Sequence, residues 1–404
     1  MSEQAAHHAF IQSALELAAK GRGRTSPNPM VGAVLVQEGR IVGEGYHHKA
    51  GEPHAEVHAL EHAGALSKGA TLYVTLEPCC HWGRTPPCTQ ALIRAGVAKV
   101  YAAMQDVNPR VAGKGFAELK GAGIEVHVGL CEAEARRLNE AYIKHTTTCL
   151  PFVILKAAMS LDGKIATASG ESQWITSEAA RLKGHALRDQ VDAILVGVGT
   201  VLADNPSLTT RLRFRNADCD PLLGGVSEGR GGLRNKKNNP KSEIRNPKSK
   251  DPIRVVADSR GRTPPNAKVF NPDSNAKTLI AVTDAAPQDA VAAFKAAGAE
   301  VITVAEKDGR VCLLSLMREL GNRQITSVLI EGGAEIHASA LQEGVVDKVM
   351  FFIAPKLIGG REAPGPIGGV GVQHLSAAIS LRETNVTRVG EDFFIEGYIA
   401  KGAA

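Results

Sequence analysis

The chain has 404 residues, 44% of them hydrophobic and 22% charged, and a formal net charge of +5. That length suggests two or three domains, and the absence of any run of eighteen apolar residues excludes a helical membrane span. Residues 216–250 hold eight bases against four acids, so four of the five net positive charges fall there. The near-neutral remainder, in a chain with only 4% aromatics, argues against a nucleic-acid-binding face.

In chain order, residues 6–20 read as an amphipathic helix ended by Gly21, residues 31–36 as a buried strand and 40–45 as its hairpin partner. Residues 54–63 have helical spacing, with Ala55, Ala59 and Leu60 on one face. Residues 70–76 alternate as a strand, 88–95 form a short helix closed by Gly96, and 99–104 form a third buried strand. This alternation predicts an α/β layered domain. One helix over 132–145 runs into Thr146-Thr147-Thr148, and Pro151 opens a new strand. The domain boundary is therefore expected near 148, dividing the chain into 1–148 and 149–404. In the second part, strands are expected at 152–157, 192–197, 253–257, 278–282, 326–330 and 348–354. Helices are expected at 177–188, with Ser177 or Thr176 as N-cap, and at 288–297, 311–320 and 333–342.

Residues 216–250 break the pattern: Asn, Lys, Pro, Gly, Ser and Arg dominate, and Asn239-Pro240-Lys241-Ser242 is nearly repeated at Asn246-Pro247-Lys248-Ser249. So few apolar groups cannot offset the entropy of ordering. A disordered surface insertion is expected, with a basic docking arm as the alternative. The N-terminus lacks the basic-then-apolar pattern of a secretory signal. Seven cysteines, three of them within ten positions, favour a metal site in a reduced compartment over a disulfide framework. The expected location is the cytoplasm.

The chemistry concentrates in His54-Ala55-Glu56 and in Pro78-Cys79-Cys80-His81-Trp82-Gly83-Arg84-Thr85-Pro86-Pro87-Cys88. One imidazole and two thiolates, His54, Cys79 and Cys88, suit Zn²⁺ and leave its fourth position to water, whose pKa the metal lowers. Glu56, two residues past the His, is placed to carry protons without binding the metal, and Pro78-Cys79 fits the deaminase signature. The signature's two-residue gap is replaced by eight residues between Cys79 and Cys88. A closed structural site, completed by Cys80 or His81, is the competing reading; it would leave Glu56 without a purpose. Cys80 is otherwise a spare thiol.

Residues 75–88 and 43–56 resemble the zinc loop and its partner segment in the riboflavin-pathway pyrimidine deaminases. In the second half, Phe152 to Lys164, Glu171 to Ser177, Gly197 to Thr209 and Ile330-Glu331-Gly332-Gly333 together resemble the reductase half of the bifunctional riboflavin enzymes. Gly197-Val198-Gly199 supplies only two glycines of a Rossmann fingerprint. The resemblance implies a cytidine-deaminase-like α/β/α layer domain followed by a dihydrofolate-reductase-like α/β domain, with Zn²⁺ and NADPH as cofactors. It implies a phosphorylated pyrimidine as substrate, and an assembly into homo-oligomers. Asn28 and His47 are expected to line the pyrimidine pocket and Arg84 to hold the substrate phosphate. The resemblance places Ala158, Trp174, Thr200, Asp204 and Ser259 at NADPH. Gly332 and Gly333 suit its pyrophosphate, because glycines after a strand admit backbone N–H groups to phosphate. Lys156, Ser172, Arg188, Leu208, Arg211 and Glu331 fall near the substrate, where Arg188 and Arg211 could grip the phosphate bidentately. Residue by residue, plainer readings stand beside these: Trp174 as core, Glu331-Gly332-Gly333 as a tight turn, Arg188 as a solvated charge, His47 as an exposed strand end. No general acid for the reduction stands out; water, Lys156 or the substrate itself are the candidates.

Overall fold

The computed structural model describes residues 3–212, 250–270 and 273–400. The segment 216–250, apart from Lys250, lies outside the described residues. Two compact units emerge, residues 1–153 with 313–328, and 154–312 with 329–404.

The first unit is a five-stranded mixed sheet, order β2-β1-β3-β4-β5, built from β1 (Gly32–Gln37), β2 (Arg40–Tyr46), β3 (Thr71–Val74), β4 (Lys99–Ala102) and β5 (Glu125–Val128). The β1 strand pairs antiparallel with β2 and β3, whereas β3, β4 and β5 run parallel. Helices α1 (Glu3–Ala19), α2 (Ala55–Ala63), α3 (Cys88–Ala95), α4 (Lys114–Gly121), α5 (Glu132–Leu138) and α6 (Glu140–Thr148) complete it. Its core includes Ile11, Leu35, Leu72, Leu92 and Val100, all with no exposed surface, each contributing about 1.5–3 kcal/mol by burial.

Glycine sets how closely α2 can lie on the sheet. A Cβ at Gly43 would stand 2.2 Å from the Ala59 carbonyl, and one at Gly45 2.4 Å from the Ala55 carbonyl. Backbone thus rests on backbone, and the start of α2, with His54 and Glu56, is held against β2.

Several sequence expectations change. The helix expected over 132–145 is broken at Asn139, whose φ of −105° and ψ of 22° interrupt it. The buried Asn139 amide accepts from Met30 N at 2.8 Å and donates to Met30 O at 2.9 Å, which anchors the strand-like segment beside Asn28. Helix α4, strand β5 and the C-terminal hairpin were not expected. Helix α4 is hard to see because glycines dilute its pattern; its start is organised by a distant group, the buried Glu77 carboxylate, which accepts from Gly113 N and Phe116 N.

The second unit is organised by a nine-stranded sheet, with strands β6 (Phe152–Ser160), β7 (Ala193–Gly197), β8 (Ile253–Ala257), β9 (Thr278–Val282) and β10 (Glu300–Thr303). After a small hairpin of β11 (Glu306–Lys307) and β12 (Arg310–Val311) come β13 (Ser327–Ile330), β14 (Lys348–Ala354), β15 (Leu381–Val389) and β16 (Asp392–Ile399). The order is β10-β9-β8-β7-β13-β6-β14-β16-β15, with the last two added antiparallel. Helices α7 (Glu178–Gln190), α8 (Val198–Asp204), α9 (Gln288–Ala296) and α11 (Ala334–Gln342) belong here, whereas α10 (Leu313–Asn322) groups with the first unit. Ser177 is the N-cap of α7, its hydroxyl accepting from Ala180 N at 3.4 Å. The glycine-containing segment after β7 forms the helix α8, held by buried Val198 and Val201 and closed by Asn205 at φ 42°.

Candidate active sites

His54 is the N-cap of α2, Cys88 opens α3, and Cys79 lies in the loop after β3. The fold brings their ligand atoms within 4.8 Å of one another. His54 Nδ1 faces both sulfurs, at 3.5 Å from Cys79 Sγ and 3.3 Å from Cys88 Sγ. Its Nε2 lies 3.3 Å from the Thr85 hydroxyl, the outer partner that fixes ring orientation in metal sites. Neither Cys80 nor His81 joins the cluster; the Cys80 thiol turns to the Arg110 carbonyl, 3.9 Å away. Three N/S donors, with no fourth protein ligand among the described residues, are the donor set of a catalytic zinc site.

The thiols are tuned unequally. Cys79 is held down to about 4, because the Cys88 side chain and amide and His54 all favour its thiolate. Cys88 goes the other way, raised by its hydrogen bond to Cys79 and by burial. Burial pushes the Glu56 carboxyl up to about 7, with His54 opposing the rise.

His54, Glu56 and Cys79 open onto a cavity of about 390 Å³ also lined by Asn28, His47 and Arg84. His47 is no exposed strand end: it is 2% exposed. Its Nδ1 pairs with the Pro53 carbonyl at 3.1 Å, so Nδ1 carries the proton and Nε2 accepts from Asn28 Nδ2, also at 3.1 Å. Burial lowers the His47 pKa, consistent with a neutral ring. Asp106, Asn108, Arg110 and Tyr142 line the cavity too and escaped the sequence reading. Their segment has no motif; it reaches the cavity because Glu77 accepts from Asp106 N at 3.2 Å and Tyr142 donates to Asp106 at 2.8 Å.

In the second unit, Lys156, Arg188 and Glu331 converge. Arg188 Nε lies 3.2 Å from both Glu331 oxygens and its Nη1 donates to the Thr209 carbonyl at 3.0 Å. Leu208, buried at φ 52°, precedes that carbonyl in the chain. Arg188 is thus neither a solvated charge nor a free phosphate fork; Arg211 is exposed, and its amide donates to His185 Nδ1 at 3.3 Å. Burial would raise the Glu331 carboxyl, but Arg188 and Lys156 bring it down to about 2. Burial lowers Lys156, and burial with Arg188 and Arg211 takes His185 down to about 4.

At the end of β13, Gly332 and Gly333 adopt φ of 116° and 84°. A Cβ on Gly333 would stand 3.1 Å from the Thr200 hydroxyl, so this cradle against α8 requires glycine. His337, 3% exposed, accepts from Gly332 N at 3.2 Å and donates to the Pro366 carbonyl at 2.8 Å. This buried bridge, unnoticed in the sequence, orients the turn. Ser172 donates to Asp204 at 3.3 Å. Ser259 accepts from Val311 N at 2.9 Å, just beyond the end of β8. Ala158 lies on β6 opposite Phe352. Trp174 is not core: it is 60% exposed, with Arg181 4.6 Å over its ring.

The family model described as the RibD C-terminal domain matches residues 151–395, and that of the cytidine and deoxycytidylate deaminase zinc-binding region matches residues 4–104. Over 383 residues the chain is 43% identical to the riboflavin biosynthesis protein RibD of Escherichia coli, covering 95% of this chain and 96% of that one. The chain belongs to the RibD family. The RibD of Actinobacillus pleuropneumoniae is 41% identical over 387 residues, 96% of this chain and 94% of that one. Among solved structures, Acinetobacter baumannii RibD superposes with a TM-score of 0.81 at 36% identity, covering 99% of this chain and all (100%) of that one. A Thermotoga maritima diaminohydroxyphosphoribosylaminopyrimidine deaminase/5-amino-6-(5-phosphoribosylamino)uracil reductase gives 0.80 at 34% identity, covering 98% and 99%. The expected fold class holds, a deaminase-type α/β domain followed by a RibD-type reductase domain. As a RibD protein, the chain is a bifunctional enzyme of riboflavin biosynthesis, a zinc-dependent deaminase and an NADPH-dependent reductase.

Proposed function

We propose that the first unit deaminates 2,5-diamino-6-(5-phosphoribosylamino)pyrimidin-4-one, and that the second reduces the ribosyl group of the resulting 5-amino-6-(5-phosphoribosylamino)uracil to the ribityl form. The observation that carries the reading is a cluster of three zinc-type donors beside a cavity lined by a buried carboxylate and an Asn–His pair. His54, Cys79 and Cys88 hold Zn²⁺, which when bound makes water a competent nucleophile at neutral pH. Glu56 accepts the proton of the attacking water and returns it to the amino nitrogen of the substrate, so that ammonia leaves and a carbonyl remains. Asn28, oriented by His47, positions the ring, and Arg84 holds the phosphate.

In the second unit, the Gly332–Gly333 turn and Thr200 cradle NADPH, with Ala158, Trp174, Asp204 and Ser259 completing its site; the cofactor supplies the hydride. Ser172, Arg188, Leu208, Arg211, Glu331 and Lys156 shape the ribosyl pocket. Glu331 orients Arg188, and the half-buried Lys156, with its lowered pKa, is the proton donor this cluster offers.

We place the domain boundary near residue 148, before β6 begins at Phe152. Among the described residues no helix is long and apolar enough to cross a membrane. We place the enzyme in the cytoplasm, in keeping with the free thiols of its described cysteines. It is a homo-oligomer, a reading supported by β15, an edge strand exposed along most of its length with Val386 60% exposed; unpaired edges invite a further strand. Light scattering should show Val386→Lys shifting the assembly toward monomer; unchanged mass would remove β15 from the interface.

The functional test is a paired assay. The zinc-loaded protein should release ammonia from the diaminopyrimidinone without NADPH, then consume NADPH once it is added. A chelator should abolish ammonia release yet leave NADPH consumption on the deaminated intermediate. Chelation that stops both would sink the assignment of separate sites.

A further inference from the structure

Arg84 and Arg110 stand on two different loops at the mouth of the deaminase cavity, the zinc loop after β3 and the loop after β4. Both are exposed, and among the described residues neither guanidinium has an acceptor. Only the backbone of Arg110 is engaged: its N–H donates to Asn108 Oδ1 at 3.0 Å and its carbonyl receives the Cys80 thiol at 3.9 Å. The loop beneath it is pinned as well, since Glu77 accepts from Asp106 N and Gly113 N. A cation on an anchored backbone, with an idle side chain at a cavity mouth, is prepared for an anion.

The acids of the cavity do not compete for it. Glu56 and Glu77 are each 3% exposed, and Glu77 is committed to backbone amides. Asp106 is buried and accepts from Asn108 N at 2.9 Å and from Tyr142. Lys114, at the start of α4, donates its Nζ to the Pro109 carbonyl at 2.9 Å and adds further positive charge beside the same loop. The cavity is thus polarised, with a proton-carrying carboxylate inside and two guanidinium groups outside. That matches a substrate whose reacting ring and phosphate lie at opposite ends.

Resting on the deaminase reading above, we propose that Arg110 is a second phosphate-binding residue, closing on the substrate phosphate from the side opposite Arg84 and giving the deaminase its preference for phosphorylated over dephosphorylated substrate.

The test compares ammonia release from the phosphorylated substrate and from its dephosphorylated ribosylamine, for the zinc-loaded wild type, Arg110→Gln and Arg110→Lys. Loss of one charge-assisted contact predicts a KM for the phosphorylated substrate raised roughly tenfold to a hundredfold in Arg110→Gln. Its kcat and its KM for the dephosphorylated compound should stay within about twofold of wild type. Arg110→Lys should recover most of the loss, because a point charge still meets phosphate. Zinc content and the thermal transition show that each variant is folded. An unchanged preference in folded Arg110→Gln overturns the role of Arg110 and leaves the deaminase reading intact. No ammonia from the wild type with either compound overturns both.

Discussion

Glu56→Gln is expected to retain zinc and lose deamination by about 10²–10⁴-fold or more, the usual cost of removing a general acid–base group. The expectation rests on position. Glu56 lies in the first turn of α2, two residues beyond His54, and is 3% exposed. The amide keeps the shape and the hydrogen-bonding reach of the carboxylate but cannot accept the water's proton. Zinc should stay, because His54, Cys79 and Cys88 form the ligand cluster without Glu56. Reduction of the deaminated intermediate should continue, since no residue assigned to that step belongs to the first unit. Metal analysis, ammonia release and NADPH oxidation check the three statements separately. Retained ammonia release would move the proton-carrying role elsewhere in the cavity.

The second large effect is expected from Glu331→Gln. Glu331 and Arg188 side chains are 7% and 16% exposed, and Lys156 adds its charge to the same pocket. Removing the one anion leaves two cations facing a neutral amide. Breaking a buried pair in this way typically destabilises by ~3–5 kcal/mol. NADPH oxidation should fall with it, because Glu331 both carries the β13 end into the glycine turn and holds Arg188. The wild-type pair also has a pH signature. The folded-state Glu331 pKa is depressed to about 2 from an ordinary 4.5. Its stabilising contribution is therefore fully present above the ordinary value and is lost as pH falls through the folded one. Thermal unfolding between pH 5 and 2 should show a steeper loss in wild type than in Glu331→Gln. Parallel curves would mean the pair contributes little.

Much of the first site was legible before folding, for a chemical reason. Zinc ligands are restricted to a few residue types, and His54-Ala55-Glu56 with Pro78-Cys79 concentrates them in short segments. The choice between the adjacent Cys79 and Cys80 was legible from Pro78, and the structure groups Cys79 with His54 and Cys88. Asn108, Arg110 and Tyr142 were not legible, because an isolated polar residue in a loop has no local signature. Their place depends on Glu77, which gathers distant backbone amides onto one buried carboxylate.

The second site divides in the same way. Gly332-Gly333 after an apolar run could be read as a turn, since glycine is what positive φ requires. That Arg188 is spoken for by Glu331, and that His337 supports Gly332 from beneath, depends on strands and helices far apart in sequence.

By itself, then, the amino-acid sequence determined the residue types of the chemistry, the α/β alternation and the existence of two halves. These are local properties, written in side-chain chemistry and in periodicity. Only the tertiary structure decided which groups are paired and which are free, and where the helix after residue 132 breaks. Those depend on burial and on partners such as Met30 for Asn139, whose nearness no local pattern encodes.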